Sequence, residues 1–426
     1  MTTLHIDAEP TGPAAVALRP QPLGAFPLPL GYMLIPAASS TGADTEAVRA
    51  ALLSGNVPQE WPDGLSAHEF ALAGDRTSAL AALEGTGPVT RYNRFVLDPD
   101  GDDPDELRSE LGEFGVLVDL VLFTLGRSDT PPDPGAADGE LAAVALSAQA
   151  SHALHEGDSV GAIELLERAA ATASPDSGCL HGVLVGAAAS ICRDLGDPAA
   201  AQRLEQALRL LGGANGLRIG RAELHLNLAG LLHEQAEDHP EMLAQAIPHY
   251  HSALQLVLRD EAPLLWAATH ANLATAYLTM PMVEASGQLR LGVAAQSLRS
   301  ALKVYTRETF PEQWASVQLN LANSLVYTPS KHQADNLVEA VELYEGVLEA
   351  RDRDTDPLGR ARVLANQGNA LAHLGMFDQA KAKLYEARFL FEDLGDEESV
   401  RAVRGVLDEI ARQLVLIRTE PEPETG

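Results

Sequence analysis

The tripeptide Asn320-Leu321-Ala322 decides the fold, because it recurs along the chain at a regular interval. Full copies stand at Asn227-Leu228-Ala229 and Asn272-Leu273-Ala274, and a degenerate copy stands at Asn366-Gln367-Gly368. The four asparagines are 45, 48 and 46 residues apart. A period in this range indicates stacked structural repeats, in which each repeat covers the apolar face of its neighbour. The sequence therefore predicts a protein that binds other proteins, without indicating which ones.

A second pattern marks another helix in each repeat. An alanine is followed four positions later by a large apolar residue, and three positions after that by a small or β-branched one. These spacings place three side chains on one helical face, where small residues let a neighbouring helix approach closely. Each repeat is thus predicted to contain a helix A, marked in four repeats by the asparagine, and a helix B. The six copies of the helix B pattern are Ala162/Leu166/Ala169, Ala200/Leu204/Ala207, Ala246/Tyr250/Ala253, Ala294/Leu298/Ala301, Ala340/Tyr344/Val347 and Ala380/Leu384/Ala387.

The array resembles the tetratricopeptide repeat (TPR) family. The last repeat carries the apolar and small residues of that family at its spacing: Leu364, Gly368, Leu371, Gly375, Phe377, Ala380, Leu384 and Ala387. The resemblance implies an all-α fold, a right-handed superhelix (α-solenoid) whose A helices line a concave groove. The segment Ala301–Ala322 is similar to the longer repeats of kinesin light chains, and more similar still to bacterial TPR arrays associated with CHAT proteases. No CHAT domain is expected, because the residues after Leu394 contain neither Cys nor His.

The rest of the chain divides around this array. The predicted order is a Pro-rich apolar arm (1–43), a mainly helical N-terminal domain (44–126), a linker (127–140), six repeats (141–395), a capping helix (396–418) and a disordered acidic tail (419–426). The capping helix is expected because the last repeat of a solenoid would otherwise expose its apolar face. Its surplus apolar residues make a homodimer through this helix an alternative.

The segment Pro20–Ala43 contains no charged residue, yet its prolines exclude an unbroken membrane helix. We expect an extended arm that packs on the chain's own domain, or that docks into a groove of this chain or of a partner. Within the N-terminal domain, four segments have recognisable character. Helices are expected over Thr45–Leu53, over Leu65–Leu83 with a break at Gly74-Asp75, and over Pro104–Leu125, whereas Arg91–Leu97 has strand-like composition.

The amino-acid composition limits which classes of binding partner and which cellular compartment we expect. The formal net charge of −30 argues against nucleic acids and anionic membrane surfaces, which both select Lys and Arg. The two cysteines, Cys179 and Cys192, fit no zinc spacing and are expected to be buried thiols, as in a cytoplasmic protein. Abundant Ala, Gly and Arg beside only four Lys suggest a bacterium with GC-rich DNA.

The candidate binding residues follow from the resemblance. It places the asparagines of the A helices along the groove, where a carboxamide offers both a donor and an acceptor to an extended backbone. Neighbouring polar residues widen this strip, and an arginine is available to bind a carboxylate. The alternative is that the asparagines only tie neighbouring repeats together. The predicted partner-binding residues are Asn227, Asn272, Asn320, Asn323, Arg362, Asn366 and Asn369.

Metal binding and catalysis have weaker support. Five histidines lie within 27 residues near several carboxylates, so a Zn or Ni site is a minor alternative, although helical spacing does not converge them. No nucleophile elbow, P-loop, dinucleotide fingerprint or H-E-x-x-H motif occurs, and no cofactor is expected. The histidines are His225, His233, His239, His249 and His251.

We therefore expect a non-enzymatic scaffold or adaptor that holds an extended peptide or a helix of a partner protein in the groove. One alternative is an assembly or maturation chaperone for a subunit of a multi-subunit, possibly metal-containing enzyme. A second is a regulatory array that acts with a separate protease or signalling enzyme. A third is a binder whose own arm occupies its groove.

Overall fold

In a computed structural model, the described residues are 19–37, 43–174, 177–280, 286–327 and 331–419. They form two compact units, Met1–Leu231 and Leu232–Gly426, which divide within one helix. The N-terminal part of the predicted arm and the predicted acidic tail after Thr419 lie outside the described residues. Within the described ranges, no helix combines the length and apolar character that crossing a bilayer requires.

The described residues are helical apart from connecting segments and one pair of two-residue strands, so the predicted all-α fold is confirmed. The elements of the first unit are β1 Gln21–Pro22, β2 Leu34–Ile35, α1 Ala43–Leu53, α2 Ser66–Leu72, α3 Arg76–Ala82, α4 Pro88–Leu97, α5 Pro104–Leu111, α6 Val116–Thr124, α7 Gly139–His155, α8 Ser159–Ala173, α9 Gly178–Asp194, α10 Ala200–Leu210 and most of α11 Arg218–Gln235. Those of the second unit are α12 Met242–Leu256, α13 Pro263–Thr279, α14 Ser286–Ala301, α15 Pro311–Tyr327, α16 Gln333–Ala350, α17 Pro357–His373, α18 Phe377–Asp393 and α19 Glu397–Thr419.

The predicted break in the Leu65–Leu83 segment is confirmed. Gly74 has a φ of +75°, a conformation that disfavours other residues, and it ends α2. The Asp75 side chain then accepts a hydrogen bond of 3.0 Å from the Ser78 backbone N–H and so caps α3. The two helices consequently pack as a hairpin.

The strand-like composition of Arg91–Leu97 was misleading, because this segment lies in α4. Pro88 occupies the first turn of α4, where its missing N–H costs no hydrogen bond. Tyr92 and Phe95, three positions apart, are both buried on one helical face. Short runs of aromatic and β-branched residues fit either structure, and burial on a helical face decides this case.

The single helix predicted over Pro104–Leu125 is also wrong in detail, because the chain forms α5 and α6 with a 3₁₀ turn between them. Gly112 ends α5 with a φ of +58°. The start predicted at Pro104 is confirmed, since the Asp103 carboxylate accepts hydrogen bonds from two backbone N–H groups of the first turn. The break lets α6 turn back, and Arg108 on α5 pairs with Asp119 on α6 at 2.7 Å.

Helical hairpins make up the repeat region of each unit. In the first unit α7 packs on α8, α8 on α9 and α9 on α10. In the second unit every helix from α12 to α19 packs on the next, and α13, α15, α17 and α19 also contact one another in that order. The alanines and large apolar residues of the helix B pattern are buried in both units, as expected for the face that meets neighbouring helices.

Helix α19 covers the end of the second unit by packing on α18 and α17. Val400, Val403 and Ile410 are buried against these helices, whereas Val415 and Leu416 near its end are exposed. Both cysteines are unpaired and buried, as predicted. Burial raises the pKa of the Cys179 thiol to about 11, so it is protonated at neutral pH.

Candidate functional site

The arm residues described by the structure fold back on themselves. Strands β1 and β2 pair antiparallel with Gln21 opposite Ile35. The backbone N–H of Leu23 continues the ladder by donating to the Met33 carbonyl at 3.2 Å. Leu23, Met33 and Ile35 are all buried within the first unit. The arm therefore packs on the chain's own unit, one of the two arrangements expected from its sequence.

Side chains of the N-terminal helices form hydrogen bonds with the backbone of the arm. Asn93 on α4 accepts from the Leu34 N–H at 2.8 Å and donates to the Leu34 carbonyl at 2.9 Å. His68 on α2 donates to the same carbonyl at 3.1 Å, and the Tyr92 hydroxyl donates to the Tyr32 carbonyl at 2.8 Å. Burial lowers the pKa of His68 to about 4, so its imidazole is neutral at pH 7.

A buried arginine completes the anchoring. Arg49 on α1 donates to the Pro36 carbonyl at 2.5 Å, to the Arg19 carbonyl at 3.2 Å and to the Gln21 side chain. Gln21 in turn donates to the buried carboxylate of Glu140 on α7 at 3.3 Å. Desolvation lowers the pKa of Arg49, and the Glu46 and Glu140 carboxylates oppose this effect. The network thus joins the arm to the first helix of the repeat region.

The arm lies against the A-type helices of the first two repeats, α7 and α9. At Gly24 the backbone approaches so closely that an added Cβ would stand 2.7 Å from Val144 on α7 and 3.5 Å from Leu180 on α9. A larger residue at this position would require the Val144 side chain to shift, because real Cβ contacts are longer. An apolar hairpin of the chain itself therefore already lies on this helical surface.

Beside the arm, a cleft of about 750 Å³ opens between α9 and α11. Phe26 and Pro27 of the arm form one wall, and small residues of the two helices form the floor. Glu223 on α11 lines the cleft, and desolvation raises the pKa of its carboxyl group although the residue is exposed. The lining residues are Gly24, Ala25, Phe26, Pro27, Leu72, Val183, Gly186, Ala187, Ser190, Leu211, Gly216, Leu217, Arg218, Ile219, Gly220, Glu223, Leu224 and Asn227.

Asn227 stands at one end of this cleft and joins α11 to α9. Its Oδ1 accepts from the Arg193 guanidinium at 2.7 Å, and its Nδ2 donates to the Ser190 hydroxyl at 3.3 Å. The carboxamide therefore links neighbouring repeats, the alternative role expected for these asparagines. Because an amide nitrogen has two donors and the oxygen two lone pairs, the link does not exhaust its hydrogen-bonding capacity.

In the second unit, three of the predicted residues form or adjoin another link. Asn366 on α17 donates to Asn323 Oδ1 on α15 at 3.0 Å, and the Tyr344 hydroxyl donates to the same oxygen at 2.7 Å. Asn369, one turn beyond Asn366, is half-buried and has no side-chain hydrogen bond to the residues that the structure describes. The Asn323–Asn366 pair ties the fifth and sixth predicted repeats together.

Asn272 on α13 and Asn320 on α15 differ from this pair. Asn272 is exposed and Asn320 half-buried, and neither carboxamide bonds to any described residue. The two helices that carry them contact each other, and the asparagines occupy equivalent repeat positions. Arg362 on α17 is exposed as well, and its charge contributes to a lowered pKa of Asp396 after the hydrogen bonds from Ser399.

The histidines do not assemble into a metal site within the described residues, where no group of three or more ligand side chains converges. His233 shares a hydrogen bond of 3.3 Å with the Tyr250 hydroxyl, and His251 shares one of 2.9 Å with Tyr277. Exposed His239 pairs with Glu241 at 3.4 Å. The remaining two histidines, His225 and His249, are half-buried and take part in interactions of their own.

Sequence reasoning missed the arm-lined cleft and the network that holds the arm. Glu223, Ser190 and Arg193 carry no recognisable motif, and their meeting depends on helices that lie far apart in sequence. One signal was available, because Gly186 leaves without a side chain the face of a predicted A helix that lines the cleft. Such a face favours the close approach of another segment.

The described residues thus define an all-α protein of tandem helical hairpins, with a cleft beside α9 and α11 of the first unit. No protein-family model and no curated protein sequence matches this chain.

Three solved structures illustrate how the chain compares with known folds. The apo form of RapI is 14% identical over 83% of this chain and 97% of its own, with a TM-score of 0.43. Acl4, an assembly chaperone of RpL4 solved as residues 1–338, is 17% identical over 63% of this chain and 98% of its own, with a TM-score of 0.37. The P58(IPK) TPR domain is 16% identical over 89% of this chain and 95% of its own, with a TM-score of 0.27. Similarity at this level assigns neither a family nor a function.

Proposed function

We propose that the chain is a non-enzymatic scaffold or adaptor that binds an extended peptide or a helix of a partner protein on its A-type helices. The observation that carries the proposal is the pair Asn272 and Asn320 on the contacting helices α13 and α15. Their carboxamides are not used by any residue that the structure describes, whereas Asn323 and Asn366 bond to each other. A carboxamide without a structural partner is available to donate to and accept from the backbone of a bound segment.

The chemistry of a carboxamide fits this role. Its N–H₂ donates and its C=O accepts, so two of them in register bind the backbone of a segment of almost any sequence. Asn369 and Arg362 on the next A helix extend the polar strip, and the arginine adds a contact for a carboxylate. The resemblance of the repeats to tetratricopeptide repeats also supports this surface, because ligands of that family bind along the A helices.

The test is partner capture from lysate of the native cell, followed by mass spectrometry, with N272A/N320A and wild type as baits. The matched control is Q296A/Q379A, which removes two exposed carboxamides from the B-type helices α14 and α18. We expect the asparagine variant to lose its specific partner by about tenfold or more, as for several lost hydrogen bonds. Equal capture by wild type and N272A/N320A, with circular dichroism unchanged, would refute the proposal.

A further inference from the structure

We propose that the cleft between the arm, α9 and α11 binds a short extended segment of a partner chain that carries an apolar side chain beside a Lys or Arg. This inference rests on the proposed function only in that the occupant is again a protein segment. It involves the first unit and a different set of residues, so it stands or falls separately from Asn272 and Asn320.

The dimensions and walls of the cleft favour an apolar segment. Its volume of about 750 Å³ lies within the range of pockets that enclose small ligands and short peptides, roughly 300–1,000 Å³. Phe26 and Pro27 form an apolar wall of the cleft. On the opposite helices, the small residues Gly186, Ala187 and Gly220 leave room for a ligand. A Cβ at Gly220 would meet no atom within 4 Å, which shows that space above this floor is open.

The charge in the cleft favours a cation. Glu223 lines it without a hydrogen bond or ion pair to any described residue. Arg218, the other charged residue of the lining, takes part in interactions of its own. Desolvation raises the pKa of Glu223, and a positive group beside the carboxylate would compensate for this cost. A Lys or Arg supplies that group, and the net charge of −30 attracts it over longer distances.

The arm shows that this surface already holds an apolar segment. Leu23 and Phe26 are buried in the first unit, and Gly24 between them packs closely on Val144 of α7 and Leu180 of α9. The cleft continues this surface from the arm towards α11. At its end, Ser190 and Asn227 present a hydroxyl and a carboxamide with unused hydrogen-bonding capacity for the backbone of an extended segment.

The experiment is selection of a phage-displayed random heptapeptide library on the full-length protein, with counter-selection on G220F, which adds an aromatic ring at a residue that lines the cleft. G178F carries the same change at an exposed glycine outside the cleft and serves as its control. Selected peptides are then measured by fluorescence polarisation on wild type, E223Q and E164Q. Glu164 is an exposed carboxylate on α8 outside the cleft, so E164Q matches the charge change.

We expect the selected peptides to share an apolar residue next to Lys or Arg. Binding should weaken about tenfold in E223Q, as for the loss of one charge-assisted contact, and vanish in G220F. G178F, E164Q and N272A/N320A should bind as wild type does. The proposal is overturned if no peptide distinguishes wild type from G220F, if the peptides lack a cation, or if E223Q binds them within twofold of wild type.

Discussion

Replacing Arg49 by methionine should release the arm from the first unit. The guanidinium is buried, with 2% of its side chain exposed, and it donates to two backbone carbonyls and to Gln21. Methionine fills similar space but leaves these acceptors unpaired and removes the cation nearest to the buried Glu140 carboxylate in this network. Removing one partner of a buried ion pair lowers the free energy of unfolding by about 3–5 kcal/mol. Since 1.4 kcal/mol is about tenfold, local opening should become roughly a hundredfold or more frequent.

Amide hydrogen exchange with mass spectrometry measures this opening directly. Peptides that cover residues 21–35 should exchange faster in R49M, while peptides from the second unit should not change. R76M is the control, because Arg76 is exposed and pairs with Asp98 alone among the described residues. Adding E140Q to R49M should restore part of the protection by removing the uncompensated charge. Exchange of residues 21–35 in R49M within threefold of wild type would show that the network does not hold the arm.

Two further predictions concern stability. The pKa of His68 is about 4 in the folded protein against an ordinary 6.5, so unfolding takes up a proton between these pH values. The free energy of unfolding should therefore fall by about 3 kcal/mol for this group as the pH drops from 7 towards 4. Thermal unfolding at pH 7 and pH 4.5 should show a smaller loss of stability in H68Q than in wild type, and an equal loss would exclude His68 as the cause. N366A should be less stable than N272A by about 1 kcal/mol, because both changes alter helix propensity equally but only Asn366 loses a hydrogen bond. That difference corresponds to roughly 2–4 °C in Tm for a unit of this size, and identical values would contradict the inter-repeat link.

The repeated patterns predicted the paired helices because their cause is local. Spacings of three and four residues put apolar and small side chains on one face whatever the neighbours are. The same reasoning failed for Arg91–Leu97, where seven residues are too few to separate the helical period from the strand period. It also missed the break at Gly112, since a glycine inside an apolar pattern signals a helix end only when the chain has somewhere to turn.

The candidate site was harder to predict because it depends on contacts between distant parts of the chain. Proline content showed that the arm is not a helix, but not that Asn93 and His68 would bind its backbone. Those partners lie 59 and 34 residues from Leu34. Equally, the spacing of the asparagines could not reveal which carboxamides are occupied, because the Asn366 partner comes from a helix 43 residues earlier.

The preceding repeat decides whether an asparagine at this position has a structural partner. Asn366 meets Asn323 on the preceding A helix, and the Tyr344 hydroxyl holds the Asn323 oxygen in place.

One repeat earlier, the equivalent positions before Asn320 are Thr275 and Leu298. The Thr275 hydroxyl donates to the Ala271 carbonyl of its own helix at 3.1 Å, and Leu298 is buried and has no polar atom to offer. Asn320 therefore occupies the same place in its helix as Asn366 without the two side chains that would engage it. A packing requirement explains Asn366 but not Asn320, which is why Asn320 and its neighbour Asn272 are where we place the contact with a partner.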